Sequence, residues 1–346
     1  MKSIWQRSSE FRERESLSGD VKCDVAVVGG GIAGLLCAHL LRLGGADCVV
    51  LEKDRICTHT TANTTAKITL QHGLIYSELI KKFGLNTAEG YYLANLAACE
   101  KYREMCEKAD CEYELQDNVV YSLTNREKLE KEADALSKFD TRVALIDNLP
   151  LPIDTVGGVR VSGEAQFNPL KFLSQISRHL RIYENTKVEN VESGYVICES
   201  GRVRADRVII ATHFPFIDRR GLYFLKMYQH RSYVLALEGA RLPGAMYVDE
   251  SGHGLSFRGY KDILLFGGAG HRTGKKSGGG FERLAELAEK FYPASNEICR
   301  FATQDCITLD GVPYIGHYSS ATPECYVATG FNKWGMTSSM VAADLL

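Results

Sequence analysis

The sequence has no long hydrophobic run, no excess of one charge and no regular cysteine framework, and each absence removes a class of protein. Its most apolar stretch, residues 25 to 38, is broken by four glycines, whereas a membrane span needs about 20 apolar residues in a row. A formal charge of −2 over 346 residues gives no electrostatic basis for a nucleic-acid or anionic-membrane partner. The segment Met1 to Asp20 is polar and carries no apolar signal-peptide core, so a cytoplasmic location is expected. Cysteines number eleven, an odd count at irregular spacing, which fits free thiols in a reducing compartment better than disulfides. Cys37, Cys48 and Cys325 sit in apolar patterns and read as small core hydrophobes. Cys57-Thr58-His59 is half of a Rieske-type ligand set, and no Cys-x-x-His exists to complete it. Cys106 and Cys111 are not a Cys-x-x-Cys and have no second pair at zinc-finger spacing. No metal site, internal repeat or convincing Ser/His/Asp triad is read.

What is present is a nucleotide fingerprint. Val25 to Val28 is an apolar, β-branched run of the kind found in buried parallel strands. It enters Gly29-Gly30-Gly31-Ile32-Ala33-Gly34, a Gly-x-Gly-x-x-Gly turn, and Ala33 to Leu43 reads as a helix. Gly29 permits the tight turn, Gly31 lets a pyrophosphate approach the backbone, and Gly34 lets helix and strand pack closely. The phosphates would face the unpaired N–H groups of the helix start. A second strand, Cys48 to Leu51, ends at Glu52, eighteen positions after Gly34, where a carboxylate should meet the adenosine ribose.

Three features favour FAD over NAD. Only one fingerprint is complete, since Gly268-Ala269-Gly270 has Thr273 where its last glycine should be. Val203 to Ala211 reads as a strand running into Thr212-His213. Cys325 to Gly330, Phe331 to Gly335 and Met336 to Leu346 read as strand, turn and helix, placing a helix start where it can face the electron-rich end of a flavin.

On these residues the chain resembles the FAD-dependent oxidoreductases of the D-amino acid oxidase type, which include glycine and sarcosine oxidases. The likeness extends to Ser3-Ile4-Trp5, Gly19-Asp20, Ala165 to Lys171, Lys187-Val188-Glu189 and Asp310 to Gly316. Ala211-Thr212-His213 stands where many of these flavoproteins have Ala-Thr-Gly, so His213 departs from the pattern at a position the backbone dictates. Thr64-Thr65-Ala66-Lys67, Gln71-His72-Gly73 and Phe331 to Thr337 resemble a bacterial subgroup with a C-terminal Rieske domain. That domain would follow Leu346 and is expected to be absent, which leaves the electron acceptor open.

The resemblance implies an α/β fold: a Rossmann-like FAD-binding domain (1–85, 151–215 and 301–346) with an inserted α+β substrate domain (86–150 and 216–300) containing a mostly antiparallel sheet. Residues 86 to 150 have helical spacing, Glu127 to Leu136 and Phe281 to Phe291 read as amphipathic helices, and Lys275 to Gly280 as a flexible loop. Short strands are expected at 231–237, 245–248, 255–260 and 263–267. The cofactor contacts expected are Gly29, Gly31, Ile32, Ala33 and Gly34 at the turn, Glu52 and Lys53 after the second strand, and Thr61, Thr65 and Ala66 in the loop that follows. Val188, Ala211, Thr212 and Gly311 join them, with Gly330, Asn332, Lys333, Trp334, Gly335 and Met336 in the C-terminal turn. A cysteine would attach FAD covalently at the position of Thr303, so noncovalent FAD is expected despite the neighbouring Cys306.

The catalytic candidates are His271, Lys333, Arg258, Tyr260 and Lys67. Lys333 would be a cation near the flavin, Lys67 a group touching flavin or substrate, and His271 a proton acceptor near neutral pH. Arg258 and Tyr260 would clamp a substrate carboxylate from one face of a strand, and Arg231 and Tyr233 have the same relation. The expected function is oxidation of a C–N bond of a small amine or amino acid by hydride transfer to flavin N5, with electrons passed to oxygen or a carrier. The alternatives are an electron-transfer module serving an iron–sulfur partner, or a truncated, non-catalytic flavin-binding scaffold.

Overall fold

A computed structural model describes residues 2–192, 194–217, 221–251, 254–275 and 277–346. Lys276, in the expected Lys275–Gly280 loop, lies outside the described residues. The chain folds around two sheets. In the first, Val21–Val28 sits between Gly201–His213 and Cys48–Leu51, all parallel. Arg181–Tyr183 extends the sheet beyond Cys48–Leu51, and Cys325–Thr329 extends it beyond Gly201–His213. The four residues of Cys48–Leu51 are all buried, as expected of a parallel strand covered on both faces. Helix Ile32–Leu43 packs on this sheet, with helix Gly335–Leu345 beside it.

The second sheet runs Asn296–Thr308, Met227–Glu238, Ile263–Arg272, Ser256–Tyr260, Met246–Asp249, Glu114–Ser122, Gly157–Gln166 and Lys67–Ile68, with Val143–Ile146 paired to Gly157–Gln166. Its ladders are antiparallel except where Met246–Asp249 meets Glu114–Ser122. The expected strands of the second lobe are all present. Strands Glu114–Ser122 and Val143–Ile146, by contrast, arise in a stretch read as helical. Lys67–Ile68, Gly157–Gln166 and Asn296–Thr308 pair in the second sheet although they fall largely in segments assigned to the nucleotide-binding lobe. The eleven cysteines are free. Among the described residues, no helix is long and apolar enough to cross a membrane.

Candidate functional site

A cavity of about 1060 Å³ takes its walls from both sheets, at the upper end of small-molecule pockets, which run to about 1,000 Å³. The glycine turn forms one part of it. Gly29 has φ +112°, and a Cβ there would lie 2.5 Å from the Ala211 carbonyl oxygen, so only glycine fits. Gly31 and Ala33 line the cavity at the start of helix Ile32–Leu43, which has no side-chain cap. The Ile32 N–H donates to Thr61 Oγ1 at 3.1 Å. Helix-start N–H groups and the helix dipole make this an anion seat.

Glu52 is buried beside the turn. Its Oε2 accepts from the Gly30 N–H at 2.7 Å and its Oε1 from the Asp54 N–H at 3.0 Å. These bonds fix the carboxylate's direction and leave lone pairs for sugar hydroxyls. Lys53, Thr61, Thr65, Val188, Ala211, Thr212 and Gly311 also line the cavity, as do Ile32, Asn332, Lys333, Trp334, Gly335 and Met336. Three expected contacts do not. Gly34 lies beneath the turn, Ala66 is a buried left-handed corner at φ +51°, and Gly330 packs on Thr308. Each shapes the wall from behind. Nearby, Cys57 is buried against the Gly30 carbonyl while exposed His59 bonds Asp54 at 2.7 Å, so the Cys-x-His pair points in two directions.

The C-terminal turn is held from within. Asn332 and Lys333 have φ +49° and +72°, and Asn332 Oδ1 accepts from the Thr308 N–H at 2.7 Å. The Asn332 side chain therefore pins the turn, while Lys333 reaches the cavity. Trp334 stacks on His72, with centroids 5.3 Å apart and planes 17° apart. His72 Nδ1 meets the Tyr91 hydroxyl at 2.6 Å, and Nε2 meets Thr69 O at 3.0 Å and Thr337 Oγ1 at 2.7 Å. Burial pushes His72 down to about 3, so the ring is neutral, with Nε2–H donating to Thr69 O and Nδ1 accepting from Tyr91. Sequence reasoning quoted Gln71-His72-Gly73 as a resemblance and gave His72 no role.

Of the five catalytic candidates, the structure brings two to the cavity, Lys67 and Lys333. Lys67 is buried, donates to Tyr247 O at 3.0 Å, and is pushed down to about 7 by burial and the Arg258 charge. Arg258 and Tyr260 do share a face, but it turns away from the cavity. Arg258 donates to Gln166 Oε1 at 2.8 Å, to Phe167 O at 3.0 Å and to Thr65 O, and stacks over Trp5. Tyr260 donates to Glu112 at 2.6 Å and packs edge-on to Trp5. Their bonding is spent on the scaffold, with no part left for a carboxylate clamp. His271 also lies outside the wall, bonded to the Tyr233 hydroxyl at 3.0 Å. A bulge separates Arg231 from Tyr233, leaving Arg231 exposed while Tyr233 lines the cavity.

Asp305 and Asp249 line the cavity and were missed, and His213, noted in the sequence only as a departure from the pattern, lines it too. Asp305 is buried and raised to about 6 by desolvation, against the pull of Lys333. His213 adopts φ +70°, which is why the related pattern has glycine there; its Nε2 is buried without a partner among the described residues. Thr303 and Cys306 line the wall too, and burial and Asp305 push the Cys306 thiol up to about 12. Away from the site, Cys106 and Cys111 are neighbours, and the interaction of the two thiols raises Cys106 and lowers Cys111, a proximity the irregular spacing did not suggest.

The model of the family described as "FAD dependent oxidoreductase" matches residues 24–346. The chain belongs to that family. It is an FAD-dependent oxidoreductase, and the glycine turn, the uncapped helix start and Glu52 fit the cofactor's diphosphate and ribose. The chain is 37% identical to the Bacillus subtilis (strain 168) protein YhfW, which is named for a Rieske 2Fe-2S iron-sulfur protein; the match covers 99% of this chain and 72% of that one. Its fold is similar to that of glycine oxidase from Geobacillus kaustophilus, with TM-score 0.76, 18% identity and coverage of 94% and 93% of the two chains. It is also similar to that of L-amino acid deaminase from Proteus vulgaris lacking its specific insertion, with TM-score 0.74, 21% identity and coverage of 97% and 91%.

Proposed function

We propose that the chain, in the cytoplasm and with FAD held noncovalently, oxidises a carbon–nitrogen bond of a small amine or amino acid and passes the electrons to oxygen or a carrier. The observation that carries this reading is one cavity in which the cofactor residues and the aromatic second sheet face each other, with Lys67 and Lys333 in its wall. FAD, when bound, supplies the two-electron acceptor for a hydride. The helix start at Gly31 and the Glu52 carboxylate hold and orient it. Lys333 presents a cation that favours negative charge in its neighbourhood. Lys67, at about 7, can hold or give up a proton at Nζ near neutral pH and so keep an amine neutral for oxidation. Tyr233, Phe331 and Trp334 give the wall apolar surface that excludes water. Noncovalent attachment is supported by Thr303, which offers no thiol, and by the high pKa of Cys306.

The test is an anaerobic screen in which purified yellow protein meets amines, imino acids and amino acids; bleaching of the flavin band by one of them is expected. No bleaching by any would refute the reading. A second reading, electron transfer to an iron–sulfur partner, is favoured by the Rieske name of YhfW. It predicts that flavin once reduced re-oxidises slowly in air, and fast re-oxidation by air alone would discard it.

A further inference from the structure

The charge left facing the cavity says which end of an amine or amino acid it receives. Asp305 is 8% exposed and lines the cavity. Among the described residues its carboxylate accepts no hydrogen bond and has no cation within ion-pair distance; Lys333 acts on it only from farther away. It lies on strand Asn296–Thr308 with Thr303, two residues back, on the same face and in the same wall. Other buried charges near the cavity are answered at least in part by the protein: Glu52 by two backbone N–H groups, Lys67 by Tyr247 O, and Asp249 through Oδ1 by the Ser251 N–H, its Oδ2 being left without a partner among the described residues. Asp305 is not, and a desolvated carboxylate without donors costs stability unless something else supplies them. A buried, perturbed carboxylate in a cleft is a candidate functional group. Of the cations that could receive a carboxylate, Arg55 lies beside Glu184 in the loop after Glu52, Arg258 is committed elsewhere, Lys67 donates to Tyr247 O, and Lys333 lies in the field of Asp305 itself.

We propose that Asp305 is the recognition site for the positive charge that the substrate carries on entry, before Lys67 takes up its proton, so that the cavity takes alkylamines without a carboxylate on the reacting carbon and disfavours the corresponding α-amino acids. This rests on the oxidative reading above and narrows its substrate class. The carboxylate is acceptor-only when ionised, matches the N–H donors of an ammonium group, and repels a carboxylate brought into the same low-dielectric space. Burial sharpens the discrimination, because the carboxylate gives up no protein partner on binding an ammonium, so that only the dehydration of the two charges is set against the charge-assisted bond.

The experiment uses the FAD-loaded protein under anaerobic conditions and the n-alkylamines from ethylamine to hexylamine, each paired with the α-amino acid that adds a carboxylate to its reacting carbon. Binding is read from perturbation of the flavin band and oxidation from its bleaching. The expected result is that the best amine binds at least ~10-fold more tightly than its amino acid, and that Asp305→Asn weakens that amine roughly 10- to 100-fold. Equal or tighter binding of the amino acids overturns the proposal, as does an Asp305→Asn protein that keeps its amine affinity or loses FAD retention instead. Absence of amine binding overturns it as well. Bleaching by amino acids alone leaves oxidation standing and removes the Asp305 assignment, whereas selective amine binding without bleaching does the reverse. The comparison of amine with amino acid in the unaltered protein decides the matter even if the variant does not fold.

Discussion

Gly31 and Gly34 occupy one turn but should fail in opposite ways when each is changed to alanine. A Cβ on Gly34 would sit 1.9 Å from the Gly29 carbonyl oxygen and 3.3 Å from Val27 Cγ1. That is about 1 Å inside the closest approach real Cβ atoms make, against backbone rather than a side-chain tip. Helix and strand must separate, an overpacking cost of about 3 kcal/mol. Alanine's better helix propensity returns about 1 kcal/mol, so Gly34→Ala should lose about 2 kcal/mol in the apoprotein. Gly31 has φ −82° and ψ −177°, which any residue adopts, and its Cβ would meet only Thr61 Oγ1 at 3.2 Å. Gly31→Ala should therefore change apoprotein stability by less than about 1 kcal/mol. Its methyl group would stand in the cavity where a diphosphate must reach the backbone, and FAD affinity should fall at least about tenfold, or about 1.4 kcal/mol. Urea unfolding of the apoproteins gives the first quantity, and FAD titration followed by protein fluorescence gives the second. Undiminished stability in Gly34→Ala, or undiminished FAD affinity in Gly31→Ala, would refute the assignment of packing to one glycine and cofactor approach to the other.

Lys67 is held at about 7, against 10.5 for an unburied lysine. Between those values the unfolded chain keeps a proton that the folded chain has lost, so stability should rise with pH across that window; urea titrations of the apoprotein should show this slope, and Lys67→Met should flatten it. His72→Ala removes the stacking partner of Trp334 and strands the Tyr91 hydroxyl. It should cost about 2–4 kcal/mol and shift Trp334 emission to the red, readable against Trp5, which is fully buried. Arg258→Gln leaves the Phe167 and Thr65 carbonyls without a buried donor; a loss of about 2–4 kcal/mol is expected, with no change in the ranking of amines over amino acids, and a changed ranking would restore Arg258 as a substrate clamp. Acid precipitation should leave the yellow colour in the supernatant, since a coloured pellet would mean a covalent bond to FAD.

The parts of the site that were legible in the sequence are those the backbone dictates locally. Gly34 was readable because contacts within the strand, turn and helix around it require it, and Gly29 because its φ of +112° asks for glycine. His213 was readable as an anomaly for the same reason: a position at φ +70° asks for glycine whatever surrounds it. The C-terminal turn was readable as a local piece, Phe331 to Gly335, in which the adjacent residues Asn332 and Lys333 both have positive φ. Side-chain direction in the second sheet was a different kind of question. Alternation correctly put Arg258 and Tyr260 on one face, but nothing local says that the face is covered by Trp5, from helix Ile4–Arg7, and by Glu112. Alternation failed at Arg231 and Tyr233, where a bulge against Gly268 intervenes. The strand Glu114–Ser122 was hidden because its neighbours are helix formers and its pairing partners, Gly157–Gln166 and Met246–Asp249, are distant in sequence.

Asp305 was hidden most deeply, since an aspartate in a strand reads as a solvent-facing residue. Its burial comes from the meeting of Asn296–Thr308 with the Asn332–Lys333 turn, where the Asn332 N–H donates to Cys306 O at 3.2 Å. The turn that the Asn332 side chain pins to Thr308 therefore also sets the depth of an illegible carboxylate. This links the two halves of the site: loosening the turn with Asn332→Ala should both free the Thr308 N–H and expose Asp305, so its raised pKa should fall back toward the 3.8 of an exposed aspartate. The folded chain now binds more protons than the unfolded one between 3.8 and about 6, and stability falls as pH rises through that range. In Asn332→Ala that fall should shrink, and an unchanged pH profile would show that the turn and the carboxylate are independent.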